Sequence, residues 1–104
     1  MITYDYKVKL IDFGYGLNLS GRTGTSLMKT KLGTPMYMAP EIEEESPYLG
    51  KDIEIFALGV TMLFIRLNPR TERDLPFQNA SKFDSSYKLF TERPSIYWKT
   101  KNKC

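Results

Sequence analysis

Asp12 closes an apolar run and is followed by Phe13 and Gly14. A carboxylate is a hard oxygen donor that suits Mg²⁺, which keeps several waters and binds through one or two carboxylates plus phosphate oxygens. Gly14 would let the backbone swing such a ligand. Taken alone, the tripeptide reads better as a strand running into a turn. A second concentration of special residues follows at Gly33-Thr34-Pro35-Met36-Tyr37-Met38-Ala39-Pro40-Glu41. Between the two lies a polar stretch containing Gly16, Gly21, Gly24, Ser20, Thr23, Thr25, Ser26 and Thr30, with no period, which predicts a loop. Loops of this length are usually functional or disordered.

The elements that must position these residues are legible in outline. Tyr6 to Ile11 alternates and then turns apolar, predicting a strand, with Ile2 to Tyr4 as the stub of a partner. A hairpin of this size does not stand alone. A short helix is expected from Pro40, since proline suits the first helical position. Glu41, Glu43, Glu44 and Glu45 then favour its positive end, and Ser46-Pro47 stops it. Residues 52–67 form the strongest apolar segment and predict a buried central helix, with Asp52 as its cap. Its clean apolar run, Ile55 to Ile65, is too short for a bilayer about 30 Å thick. Residues 68–81 read as loop, stopped by Asn68-Pro69. A further helix is expected over 84–90, and 92–104 is polar apart from Ile96, Tyr97 and Trp98.

The 104 residues amount to one domain or part of one. The apolar share of 41% supports a core. The net charge of +3 is mild, and the one basic cluster, Lys99, Lys101 and Lys103, reads as a solvated tail, so no nucleic-acid partner is expected. No membrane partner is expected either. The single cysteine, Cys104, makes no internal disulfide, and without histidine there is no His/Cys metal cluster. A reducing compartment fits, and the expected location is cytoplasmic.

Asp12-Phe13-Gly14, the loop, and Gly33-Thr34-Pro35-x-Tyr37-x-Ala39-Pro40-Glu41, in that order, resemble the activation segment of the eukaryotic protein kinases, serine/threonine branch. Tyr48-x-Gly50 and Glu54 to Val60 resemble the start of that family's central C-lobe helix. Leu75-Pro76-Phe77 and Tyr97-Trp98 resemble later elements, so the resemblance runs from about Lys7 to Trp98. The pattern is similar to calcium/calmodulin-dependent and AMP-activated relatives. The implied fold is mainly α with a short N-terminal β-hairpin: a partial kinase C-lobe over 1–104, with activation segment, buried central helix and further short helices.

The resemblance implies transfer of the ATP γ-phosphate to protein Ser/Thr in an intact parent, with ATP and Mg²⁺ as cofactors there. Asp12 would hold the metal, Phe13 would pack in the spine linking the lobes, and Gly14 would permit the switch. Thr30 matches the activating phosphosite, so an upstream kinase is an expected partner beside protein substrates. Gly33, Thr34 and Pro35 would form the substrate-facing loop. Glu41 would enter a buried ion pair with an arginine further along.

Glu54 stands where the family usually has an aspartate bonded to the catalytic-loop backbone, and it is one methylene longer. Phe56 replaces a frequent tryptophan, Thr61 a typical apolar residue, and 66–75 departs from the usual link to Pro-Phe. The family's Gly-rich loop, strand lysine, helix glutamate and catalytic loop with its aspartate base are not among these residues. No catalytic base is therefore assigned. The expectation is a fragment, inactive alone, marginal in stability and showing exposed apolar patches. The alternative is a degenerate kinase remnant that binds a partner through the 84–90 helix.

Overall fold

The computed structural model describes residues 1–14, 16, 27, 28 and 31–102. Helices dominate: α1 (Pro40–Glu43), α2 (Gly50–Leu67), α3 (Ser85–Glu92) and α4 (Pro94–Lys101). Among the described residues, two residue pairs make one small sheet. Strand β1 (Leu27–Met28) runs antiparallel to β2 (Tyr48–Leu49), with Leu27 opposite Leu49 and Met28 opposite Tyr48.

The expected N-terminal hairpin takes its shortest form, a single antiparallel bridge between Ile2 and Val8. Tyr6 turns the chain at φ 61°, and Thr3 N–H donates to the Lys7 carbonyl at 2.9 Å. Ile2 and Val8 stay exposed, so no buried face extends the pairing along 6–11.

Helix α1 begins at Pro40 as expected, with Glu41 and Glu43 in its first turn. β2 passes directly into α2, and this corrects the expected start. Leu49, not Asp52, is the cap residue, and Asp52 lies inside the first turn, where its charge favours the helix dipole. Gly50 leaves room at this junction: a Cβ there would come within 3.1 Å of Met28 Sδ and push that side chain aside. The far end stops where Asn68 adopts φ 45° and its N–H reaches the Phe64 carbonyl at 2.8 Å, with Pro69 next.

Side chains gather in two places. Met38, Ile42 and Tyr48 are buried together, with Met28 and Ile53 packed against them. The second centre is aromatic: Phe77 meets Tyr87 edge-on at 5.0 Å, and Phe90 meets Tyr97 at 5.1 Å. Ala80 and Pro76 are buried beside them.

Helix α2 packs against the first centre through Ile53, and only Val60 along it is buried. Ile55, Leu58, Met62 and Ile65 are all more than half exposed. The apolar helix therefore forms where expected, but apart from Val60 its inner face is only half-buried and its other face is open, so the expected full burial is not reached while the expected exposed patches are present. The open layout shows in the radius of gyration, 15.6 Å, against about 13 Å for a compact domain of this length.

Helix α3 matches the expected helix, starting one residue later and ending two residues later, at Glu92. Asp84 caps it, accepting from Tyr87 N–H at 2.9 Å. Helix α4 lies in a segment read as a polar tail. Pro94 opens it, Lys99 and Lys101 close it, and Tyr97 is its buried residue. Lys101 is not a solvated tail residue: its ammonium donates to the Arg73 carbonyl at 3.2 Å and to the Leu75 carbonyl. No helix among the described residues is long and apolar enough to cross a membrane.

Candidate functional site

Asp12 sits in the left-handed region at φ 63°, a conformation aspartate tolerates better than most side chains. Its Oδ1 turns back to accept the Gly14 N–H at 3.3 Å. Gly16 N–H then donates to the Phe13 carbonyl at 2.9 Å, completing a tight turn. The Asp12 carboxylate is exposed, and Phe13 is 74% exposed. The packing that the resemblance implies for Phe13 is thus not made by the described residues.

Asp12 suits a Mg²⁺ ion shared with phosphate oxygens and water. It is one accessible hard-oxygen donor, and no three-ligand cluster of His, Cys, Asp or Glu stands among the described residues. Mg²⁺ typically takes one or two carboxylates in this setting, so the residue present fits the ion.

The second motif is held more firmly. Gly33 takes φ 117°, which a side chain rarely adopts. Thr34 leads into one turn of tight 3₁₀ helix at Pro35–Tyr37, closed by Tyr37 N–H to the Thr34 carbonyl at 3.0 Å. Met38 and Ala39 are buried immediately behind it. The Tyr37 ring stacks on Phe64 of α2, with ring centroids 5.5 Å apart and planes inclined at 28°. Gly33, Thr34 and Pro35 are left exposed on this anchored base.

Thr30 lies outside the described residues. Glu41 is half-buried on α1. Burial first, then the charges of Glu41 and Glu44, push the Tyr87 phenol above its ordinary value. Among the described residues Glu41 has no ion-pair partner, whereas its neighbour Glu43 pairs with Lys31 at 3.7 Å. Glu54 is exposed on α2. The Thr61 hydroxyl is satisfied within the helix by the Ala57 carbonyl at 2.9 Å.

The structure thus brings Gly33, Thr34, Pro35 and Glu41 into one unit with α1 and α2. Among the described residues, no hydrogen bond or ion pair joins 12–14 to that unit. Sequence reasoning missed Tyr37, Phe64 and the Lys31–Glu43 pair. The aromatic character of Tyr37 inside the motif was the one available signal.

An anchored Gly-Thr-Pro turn leading into an acidic helix and then a long apolar helix defines a kinase-type C-lobe segment. The family model for the protein kinase domain matches residues 1–103, and the chain belongs to that family. Its relatives place it on the serine/threonine side. It is 36% identical over 84 residues to the putative sperm motility kinase W of Mus musculus, covering 81% of this chain and 15% of that protein. It is 30% identical over 97 residues to the serine/threonine-protein kinase chk1 of Schizosaccharomyces pombe, covering 93% and 19%. Over 55 residues it is 42% identical to the serine/threonine-protein kinase TIO of Arabidopsis thaliana, covering 53% and 4%. The chain therefore spans less than a fifth of each of these relatives. No solved structure matches it.

Proposed function

We propose that residues 12–41 work as the activation segment of a serine/threonine kinase, within a partial kinase domain over 1–104 whose intact parent transfers the ATP γ-phosphate to protein Ser/Thr hydroxyls. The observation that carries this reading is the anchoring of the Gly33-Thr34-Pro35 turn. Buried Met38 and Ala39 and the Tyr37–Phe64 stack fix its base, while the turn itself faces solvent, where a substrate chain would lie. Catalysis of this kind is mainly positioning plus electrostatics, so a rigid base under an exposed substrate loop is what it requires.

Asp12 would hold Mg²⁺, which supplies charge neutralisation on the ATP phosphates. Gly14 keeps that carboxylate's backbone free to turn. Thr30 is the proposed site for an upstream kinase. Glu41 helps lock α1, and Glu54 acts in support from α2. The location proposed is cytoplasmic. The lysine and the aspartate base of the reaction are not among these 104 residues and would come from the remainder of a kinase domain.

The test is a graft. Residues 1–103 replace the matched segment of an active serine/threonine kinase, and transfer of radioactive phosphate to a serine peptide is measured. Retained Mg²⁺-dependent transfer is expected. A folded graft that binds ATP but transfers nothing overturns the reading. The 104-residue chain alone is expected to show no turnover.

A further inference from the structure

We infer that Phe64 is a positioning residue for the substrate-facing turn, acting through Tyr37. This rests on the kinase reading for its meaning, though not for its geometry. Of the ring contacts among the described residues, the Tyr37–Phe64 stack is the one that ties the 35–37 turn to α2. The other ring pairs all belong to the 77–98 centre.

The arrangement makes Phe64 a fixed wall. It lies in the last turn of α2, and its carbonyl accepts the Asn68 N–H that closes the helix. Ring and backbone are thus held in one rigid element. Tyr37 is the last residue of the 3₁₀ turn, and both Tyr37 N–H and Met38 N–H depend on that turn, through Thr34 O at 3.0 Å and Pro35 O at 3.1 Å. The Tyr37–Phe64 stack is a side-chain contact that favours the backbone arrangement in which both bonds are made. Gly33 enters the turn from the other side at φ 117°, a conformation that a side chain rarely adopts. With Met38 and Ala39 buried behind the turn, Phe64 supplies the aromatic part of its clamp. Offset stacks are favoured beyond the area they bury, so the clamp biases the closed turn without locking it.

Amide hydrogen exchange on the full 104-residue chain tests this. Phe64→Leu should speed exchange at Tyr37 and Met38 about two- to tenfold, while amides of α3 and α4 keep their rates. Phe64→Tyr restores the aromatic face and should return both amides to the parent rates. In a Tyr37→Leu background, Phe64→Leu should add no further change at the Met38 amide. Uniform acceleration across α3 and α4 would make Phe64 a general stability residue and overturn the inference. So would unchanged exchange at Tyr37 and Met38. The exchange readout needs neither ATP nor transfer. Faster turn exchange together with an inactive graft would sink the kinase reading and leave the clamp standing.

Discussion

The Tyr97 hydroxyl donates a buried hydrogen bond to the Pro76 carbonyl at 3.2 Å, linking residues 21 apart in sequence. It ties α4 to the Pro-Phe turn at the aromatic centre. Removing the hydroxyl leaves a buried carbonyl without its donor, so Tyr97→Phe should lower stability by about 1–2 kcal/mol. The pH dependence adds a signature. Burial first, and the charge of Asp84 second, push the phenol from 10.0 up to about 12. The folded state holds this proton more tightly than the unfolded chain does. Its contribution is therefore complete below pH 10 and is lost as pH climbs through about 12. Urea midpoints of the parent and of Tyr97→Phe should differ at pH 8 and converge at alkaline pH. A constant gap would contradict this account.

Asp84 does more than cap α3. Its Oδ1 takes Tyr87 N–H at 2.9 Å, and its Oδ2 gathers Gln78 N–H at 2.8 Å and Asn79 N–H at 3.3 Å. One carboxylate thus fixes both the helix start and the loop that delivers Phe77 to the aromatic centre. Asp84→Ala should lower stability by about 2 kcal/mol, more than an ordinary cap, because charge-assisted bonds to two segments vanish together. Asp84→Asn keeps one acceptor oxygen and should recover part of the loss. Thermal melts of the three proteins decide the matter. An alanine variant within about 0.5 kcal/mol of the parent would show that the loop holds itself.

These contacts show where sequence reading succeeds and where it stops. Helix α2 was legible because an apolar run of that length has few other homes, and α1 because Pro40 and four glutamates mark a helix start. Helix α4 was not, since Ile96, Tyr97 and Trp98 are consecutive and show no helical spacing. Pro94 and the closing lysines were its only local marks. Lys101 looked like tail because its partners, Arg73 and Leu75, lie 28 and 26 residues away. The alternation over 6–11 predicted a strand, but with no buried face to pair against, only Val8 bridges. At the site, motif identity was legible in Gly33 to Glu41. The Tyr37–Phe64 stack was not, because no spacing rule connects those positions.

The open face of α2 has a measurable consequence. Leu58, Met62 and Ile65 are 57%, 63% and 76% exposed, side by side on one helix. Contiguous exposed apolar surface promotes association. The double variant Met62→Lys with Ile65→Lys should reduce light scattering of the concentrated chain. Because both side chains are mostly in solvent, stability should move by no more than about 0.5–1 kcal/mol. Light scattering that stays as high as the parent's would place the associating surface elsewhere.

Asp12 offers the most direct test of the proposed metal role. Asparagine is nearly isosteric, tolerates the left-handed backbone seen at φ 63°, and keeps an oxygen for the Gly14 N–H. Asp12→Asn should therefore leave the melting temperature within about 2 °C of the parent, since an exposed position carries little packing. What it removes is the negative charge that Mg²⁺ needs. In the grafted kinase, chelating Mg²⁺ should weaken nucleotide binding of the parent at least about tenfold and change the Asp12→Asn protein far less. Isothermal titration with ATP, run with and without the metal, measures both. Equal metal dependence in the two proteins would remove Asp12 from the metal site while leaving the anchored Gly33-Thr34-Pro35 turn untouched.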